Sequence, residues 1–200
     1  MTAGPATVFL CSPRAGGNSD AAGLAFAEGL TRSGHAPRII RLRDYTVASC
    51  RGCGACSAGP EHRCPLAGDD AEALFAAILD ASVLVFAAPI FFYHLPAQLK
   101  GLIDRAQRYY ARRVAREAAG WVAPAERPAE VVLVSGRREG KQLFAGALLT
   151  LTYFLWPFAV RLGDDPCLLR GYDAPGDLAT DARALADLAA RGARAGAGKK

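Results

Sequence analysis

Residues 6–19 read ATVFLCSPRAGGNS and indicate a strand, a loop and the beginning of a helix. Positions 6–11 form a short apolar run rich in β-formers, and positions 12–19 gather the Ser, Pro, Gly and Asn residues that are typical of a loop. An alanine-rich segment follows, in which Ala22, Phe26 and Leu30 fall on one helical face. This stretch predicts the first strand, loop and helix of an α/β protein.

The same alternation continues along the chain. Further strands are predicted at 37–43, 82–87 and 131–134, separated by segments with helical spacing. The run SVLVFA at 82–87 is apolar on both faces, which is typical of a central strand in a covered parallel sheet. A fifth strand is expected between 158 and 170. The pattern predicts an α/β fold, a three-layer doubly wound sheet of five parallel strands with right-handed crossovers.

Length and composition indicate a single globular domain spanning residues 1–200. Hydrophobic residues make up 52% of the chain and charged residues 22%, which excludes a disordered protein. The end of the chain, GARAGAGKK at 192–200, is expected to form a flexible tail. The N-terminus carries no signal-peptide pattern, so we expect a reducing, cytoplasmic location.

Two stretches raise other possibilities. Residues 143–160 carry no charge and approach the length of a bilayer span, but their Thr and Pro residues favour a buried helix that leads into a strand. Residues 107–116, QRYYARRVAR, place four arginines beside two tyrosines and could contact a nucleic acid. A solvated helix end, where cations complement the helix dipole, is the favoured interpretation, and the net charge is only +5, so we expect no nucleic-acid function.

The loop at 12–19 has the composition of an anion site. It opens a helix, whose first N–H groups and positive dipole end attract phosphate, and Ser12, Asn18 and Ser19 add short donors. Arg14 adds a charged donor, and small residues such as Gly17 let an anion approach the backbone. The loop lacks the lysine of a P-loop and the G-x-G-x-x-G spacing of a dinucleotide fold. An ordinary turn capped by Asn and Ser is the alternative.

This loop, together with AAPIFFYHLPAQLKGLIDR at 87–105, resembles the NADPH-dependent FMN reductases of flavodoxin-like fold. The resemblance implies FMN as cofactor, NAD(P)H as co-substrate, a homodimer or tetramer, and a small-molecule or protein electron acceptor. It places the phosphate in the loop at 12–19 and the isoalloxazine ring against the loops after the third and fourth strands. The residues it implies for FMN are Ser12, Arg14, Gly17, Asn18, Ser19, Pro89, Ile90, Phe91, Phe92, Tyr93, Ser135 and Gly136.

The residues at 90–93 support a flat ligand independently, because large apolar side chains stand where a loop is normally polar. A subunit interface or a core would also use them. No catalytic acid or base is predicted, since a flavin supplies the chemistry itself. Arg112, Arg137 and Arg138 are hypothetical partners for the phosphate of a nicotinamide nucleotide.

Cys50, Cys53, Cys56 and Cys64 follow the pattern C-x2-C-x2-C-x7-C, and Pro65 follows the last of them. This compact spacing favours an iron-sulfur cluster. Tetrahedral zinc usually takes two separated C-x2-C pairs, although His62 could replace a missing ligand. Free, redox-active thiols are a third interpretation.

The cysteine pattern and the Asp69-Asp70 pair that follows it resemble the iron-sulfur flavoproteins, a branch of the same fold. That resemblance implies a [4Fe-4S] cluster that passes electrons to FMN, often across a subunit interface. An FMN-binding electron carrier or redox sensor without reductase turnover is the main alternative. A flavin-free module that binds zinc or nucleic acid is a more distant one.

Overall fold

The computed structural model describes residues 4–198, and these form a parallel sheet with helices on both faces. The strands are β1 (Ala6–Leu10), β2 (Arg38–Arg41), β3 (Val83–Pro89), β4 (Arg127–Ser135), β5 (Val160–Leu162) and β6 (Cys167–Arg170). Their order is β2-β1-β3-β4-β5, with β6 also paired to β4, and every pairing is parallel. The predicted doubly wound α/β sheet is confirmed.

The fifth position of the sheet differs from the prediction, because two short strands share it. β5 pairs with residues 127–129 of β4, and β6 pairs with residues 132–135. Gly163, Asp164, Asp165 and Pro166 separate the two strands. This sequence favours a turn, and Pro166 has no N–H for the ladder, so one continuous strand cannot form there. The expected window 158–170 contains both pieces.

The helices are α1 (Asn18–Arg32), α2 (Ala55–Ala58), α3 (Ala71–Asp80), α4 (Ala97–Arg105), α5 (Gln107–Ala118), α6 (Ala145–Leu155) and α7 (Ala182–Gly196). Side chains alternate across each strand, so the sheet has two cores. Val8, Leu10 and Val85 pack with α1 and α7 on one face. Phe9 and Phe86 face the other way, where their rings stack 5.0 Å apart among α3, α4 and α6.

The uncharged stretch 143–160 contains α6, a short 3₁₀ turn and the start of β5, as the prediction of a buried helix leading into a strand requires. Among the described residues, no helix combines the length and the apolar character needed to cross a bilayer.

Residues 192–196 of the expected tail belong instead to α7, which ends at Gly196. Gly192 is buried against α1, and a Cβ there would collide with the carbonyl oxygen of Phe26. Gly192 therefore serves a close helix contact, and a Cβ at Gly196 would collide with the Ser33 hydroxyl just after α1. Residues 199 and 200 lie outside the described residues.

The basic stretch 107–116 lies within α5, and its arginines contact other parts of the chain. Arg108 pairs with Glu72, and Arg113 pairs with Glu117 and stacks on Trp156. These contacts give the stretch a structural role.

Candidate functional site

The loops after β1, β3 and β4 meet at one edge of the sheet. Leu10 lies opposite Ala87, and Pro89 lies opposite Val134, so the three strands end side by side. Hydrogen bonds fix the first loop residues, since Ile90 N–H donates to the Val134 carbonyl at 2.8 Å. The order of strands reverses between β1 and β3, which is where open α/β sheets bind ligands. The three groups of predicted flavin residues therefore share the expected edge.

Residues 12–19, named the phosphate loop after the predicted ligand, fold tightly around Ser12. The hydroxyl of this buried serine accepts a hydrogen bond from the Arg14 N–H at 3.1 Å, so its own proton remains available to a ligand. Gly17 caps α1, and a Cβ there would lie 3.5 Å from Ser12 Oγ and 3.6 Å from Arg14 Nε. Because the first N–H groups of a helix have no intrahelical acceptor, the loop offers donors to an anion at this end of α1.

Asn18 has a different role from the predicted one, since its side chain binds the protein itself. Its amide donates to the carbonyls of Tyr172 and Ala174 at 3.0 and 2.9 Å, and its Oδ1 accepts from the Leu178 N–H at 3.0 Å. The side chain thereby ties the loop after β6 to the start of α1. Only the backbone N–H of Asn18 remains for a ligand. Ser19, the next residue, is buried beside it.

Two charged residues that the sequence pattern did not reveal, Asp20 and Arg43, shape this loop. The Asp20 carboxylate accepts a hydrogen bond from the Gly16 N–H at 3.1 Å and pairs with Arg43 at 2.9 Å. Arg43 also reaches the Ser12 carbonyl at 3.4 Å. Asp20 could have been noticed as an acid in the first turn of α1, but nothing in the sequence links it to Arg43 after β2.

The loop after β3 forms a tight hairpin, the aromatic turn (residues 91–94). Phe91 and His94 exchange two backbone hydrogen bonds of 2.9 Å. Phe92 and Tyr93 between them have φ of +50° and +64°, values that glycine and asparagine usually supply. Each left-handed conformation costs a residue with a side chain roughly 1–2 kcal/mol. Phe92 is fully exposed, so the turn spends free energy to display an aromatic ring, as ligand and partner surfaces do.

The loop after β4 packs beside the aromatic turn. Ser135 is buried, and its hydroxyl accepts the N–H of Arg137 at 3.1 Å. The guanidinium of Arg137 lies 5.7 Å from the centre of the Tyr93 ring, and a Cβ at Gly140 would lie 3.0 Å from the Tyr93 hydroxyl. A Cβ at Gly136 would collide with Oδ1 of the Asp173 side chain, so a larger residue there would displace that carboxylate.

Of the other predicted residues, Pro89, Ile90 and Arg138 lie at the border of this edge, whereas Arg112 lies on α5, which leads away from it to the start of β4. Pro89 and Ile90 are half-buried at the end of β3. His94 Nε2 lies 3.0 Å from the Thr150 hydroxyl of α6, which holds the turn against that helix. Arg138 packs against Gly171, whereas Arg112 stacks on Tyr109 of α5.

The cysteine segment (residues 50–64) lies between β2 and α3. None of its four cysteines is in a disulfide, and all four line one cavity of about 210 Å³. Arg105 and Arg108 line the same cavity. Within residues 4–198, no three His, Cys, Asp or Glu side chains converge closely enough to hold a metal ion together. The ring of His62 is turned toward the Cys56 carbonyl, 2.8 Å from its Nδ1.

A buried ion pair anchors both ends of this segment. The side chain of Arg105, from α4, is 1% exposed and pairs with Asp69 at 2.5 Å. It also donates to the carbonyls of Ala48 at 3.0 Å and Leu66 at 3.1 Å, on either side of the cysteines. The sequence pattern does not reveal this pair, because its members are separated by 36 positions.

The charges around Arg105 affect one another. Burial alone would raise the pKa of Asp69, but hydrogen bonds from Arg105 and from the N–H groups of Ala48 and Ala71 lower it overall. Burial alone would lower the pKa of Arg105, but its hydrogen bond to Asp69 and the nearby Cys64 sulfur raise it overall. The cavity wall therefore holds a permanently charged guanidinium beside Cys64.

Sheet order and edge loops define a flavodoxin-like α/β protein. The structure of an NAD(P)H:quinone oxidoreductase from Methanothermobacter marburgensis superimposes with a TM-score of 0.65, covers 96% of each chain and is 19% identical. The family model of the NADPH-dependent FMN reductases matches residues 6–155, and the chain belongs to this family.

Curated relatives confirm the resemblance to the iron-sulfur flavoproteins. An iron-sulfur flavoprotein from Archaeoglobus fulgidus is 32% identical over 81 residues, which are 40% of this chain and 38% of the relative. An iron-sulfur flavoprotein from Methanosarcina thermophila is 32% identical over 95 residues, 48% of each chain. In both comparisons the matched part spans less than half of the relative's length.

Proposed function

We propose that this protein is an FMN-dependent NAD(P)H oxidoreductase in which a [4Fe-4S] cluster at Cys50, Cys53, Cys56 and Cys64 exchanges electrons with FMN. The observation that carries the proposal is the meeting of three loops at the reversal of strand order. An open helix N-terminus lies there at the same edge as an exposed aromatic turn. Family membership supports the flavin.

The residues of this edge fit FMN. The Ser12 hydroxyl, the Arg14 guanidinium and the first N–H groups of α1 would hold the phosphate, with Gly17 giving it access to the backbone. Residues 89–93 and 135–136 would hold the ring. Bound FMN would supply hydride acceptance and one-electron transfer. The chain's own part is to orient the ring, exclude water from one of its faces and leave the other open.

The cysteine cavity fits a cluster better than zinc. Four thiols share one cavity, and the buried guanidinium of Arg105 in its wall matches the negative charge of a cluster held by four thiolates. His62, which could complete a zinc site, is instead engaged by a backbone carbonyl. The four cysteine side chains are exposed or half-buried.

A homodimer or tetramer belongs to the proposal, as does a cytoplasmic location, where thiols stay reduced. Phe92, Leu149 and Tyr153 are large apolar residues that are more than half exposed. Association would remove such residues from water. Light scattering after size-exclusion chromatography tests this, and a monomer at every concentration would contradict it.

The central test is the visible spectrum of protein purified without air, together with flavin and iron analysis. We expect FMN bands, a broad shoulder at about 400 nm and about four irons per chain. Flavin bands without iron would leave a flavoprotein with free thiols, and no flavin after FMN addition would refute the proposal. Bound flavin that NAD(P)H does not reduce would favour an electron carrier or redox sensor.

The nicotinamide site is tested separately with Arg137→Glu and Arg138→Glu. Because both arginines lie beside the proposed ring site, charge reversal should raise the KM for NADPH while leaving FMN bound. Arg194→Glu is the control, since its position in the last turn of α7 lies at the opposite edge of the sheet, beside His35. Equal KM values for all variants would contradict the assignment.

A further inference from the structure

We propose that Arg105 is a positioning residue for the cluster: it fixes both flanks of the cysteine segment and directs its unused Nε–H toward the Cys64 side of the cavity, which makes the cluster easier to reduce. This inference rests on the cluster of the proposed function. It assigns to one residue of α4 both the shape of the cavity and part of the reduction potential.

The flanks are fixed by contacts that involve no cysteine. Arg105 binds the carbonyls of Ala48 and Leu66 and the Asp69 carboxylate, and Asp69 in turn accepts the Ala48 N–H at 2.9 Å. The segment between these points has little regular structure beyond the short helix α2. Holding its ends together reduces the entropy that cluster assembly would otherwise lose in closing the loop.

The Nε–H of Arg105 is the feature that points to an anionic ligand. Within residues 4–198, this nitrogen is buried and has no hydrogen-bond partner. Both Nη atoms of Arg105, in contrast, donate hydrogen bonds. A buried donor without an acceptor destabilises the protein. Cys64 lies close enough to interact electrostatically with the guanidinium, and both residues line the cavity. A thiolate bound to iron would give this donor its acceptor.

Electrostatics sets the direction of the effect on the cluster. A [4Fe-4S] cluster with four thiolates is an anion, and its reduction adds one electron and hence one more negative charge. A buried cation stabilises the reduced form more than the oxidised form, and a hydrogen bond to a ligand sulfur acts in the same direction. Arg105 should therefore raise the reduction potential of the cluster.

Arg108 provides a matched control on the same cavity wall. It is also a cation, but its side chain is more accessible and pairs with the half-exposed Glu72 at 2.6 Å. Solvent screens such a charge. Arg108→Met should therefore leave iron content and potential close to those of the wild type.

The test compares reconstituted full-length wild type with Arg105→Lys, the double variant Arg105→Met/Asp69→Asn, and Arg108→Met. The double variant removes both charges of the buried pair, so that neither is left unpaired. Iron and sulfide content are measured first, and the midpoint potential of the cluster then follows from a dithionite titration monitored by electron paramagnetic resonance.

In the double variant we expect a lower iron content at unchanged FMN content. In the cluster that remains, the ratio of reduced to oxidised form at a fixed potential should fall about tenfold, which is about 59 mV for one electron. Arg105→Lys keeps the charge, loses the planar set of donors and should fall between the double variant and the wild type. It also serves as the folded comparison if the double variant is unstable.

The wild-type potential in both Arg105 variants would overturn the inference, as would equal shifts for Arg105 and Arg108 variants. A wild-type protein that takes up no iron would refute the cluster of the proposed function. That result is distinct from a cluster-loaded wild type whose reduction potential does not change when Arg105 is replaced.

Discussion

The phosphate loop and the cysteine segment would both hold anionic groups, yet they are built in opposite ways. Ser12, Asn18 and Ser19 of the phosphate loop and the adjacent Asp20 are buried, and most of their polar groups are paired within the chain. The cysteine segment is largely exposed and depends on one buried ion pair at its ends. The phosphate loop is part of the folded core. Substitutions in the cysteine segment can alter its ligand site without disturbing that core. Mutations should therefore affect stability in the first region and ligand content in the second, except at the ion pair.

That exception gives the largest expected effect. Asp69→Asn leaves Arg105 buried without its counter-ion, and we expect a loss of about 3 kcal/mol in the free energy of unfolding at neutral pH. Because the folded pKa of Asp69 is lowered, its contribution is complete above the unfolded pKa of about 3.9 and disappears as the pH falls through the folded value. Urea denaturation between neutral and acidic pH measures this.

The wild type should lose stability below about pH 4 more steeply than Asp69→Asn, so that the two curves converge in acid. Asp104→Asn is the control, since Asp104 pairs with Lys100 on the exposed side of the same helix, where both side chains are more than 40% exposed. It should change stability by less than about 0.5 kcal/mol. Parallel curves for wild type and Asp69→Asn would contradict the assigned contribution of Asp69.

The second prediction concerns the phosphate loop. Asn18→Ala removes three hydrogen bonds and leaves two carbonyls and one N–H without their partners, so stability should fall by about 2 kcal/mol. FMN should also bind more weakly, because the start of α1 loses its tie to the loop after β6. Arg32→Ala, which removes an exposed ion pair at the other end of α1, should have almost no effect. Equal losses in both variants would show that the loop is not a core element.

The same contrast separates what could be predicted from what could not. Strand pattern, loop composition and the rule that parallel strands end at one edge predicted the fold and the meeting of the three loops. The roles of Asn18 and Arg105 depend on partners 154 to 160 and 36 to 57 positions away, so no local pattern reveals them. The prediction of a tail beginning at Gly192 is wrong for a related reason. A glycine needed for close helix packing cannot be told from a glycine in a tail by sequence alone.

The third prediction reverses the usual sign of a mutation. Phe92→Asn with Tyr93→Gly places the residues that a turn of this geometry favours in the aromatic turn, and stability should rise by about 1 kcal/mol. The affinity for FMN should fall at the same time, because the exposed ring surface is lost. Thermal melting of the apoprotein and flavin fluorescence titration measure the two effects.

Gly16→Ala is the mirror-image control in the phosphate loop. Gly16 has φ of +66° with open space around its Cα, so an added Cβ meets no atom and costs only its strained backbone conformation, about 1 kcal/mol. Stability should therefore move in opposite directions in the two loops. An aromatic turn that gains no stability from Asn-Gly would mean that its side chains pack more favourably than their exposure indicates.

The smallest effect on stability belongs to the cysteine segment. Cys53 is exposed, so Cys53→Ser should change the free energy of unfolding of the apoprotein by less than about 0.5 kcal/mol. The same substitution should abolish the 4-iron content, because one of four ligands is lost. Cys167→Ser is the inverse case: burial raises the pKa of that thiol, and a hydroxyl in its place should cost about 1 kcal/mol while leaving iron untouched. Both variants replace a cysteine by serine, and they differ only in whether that cysteine lies in the cysteine segment or in the core. Iron retained in Cys53→Ser, or lost in Cys167→Ser, would therefore contradict the separation of the ligand site from the core.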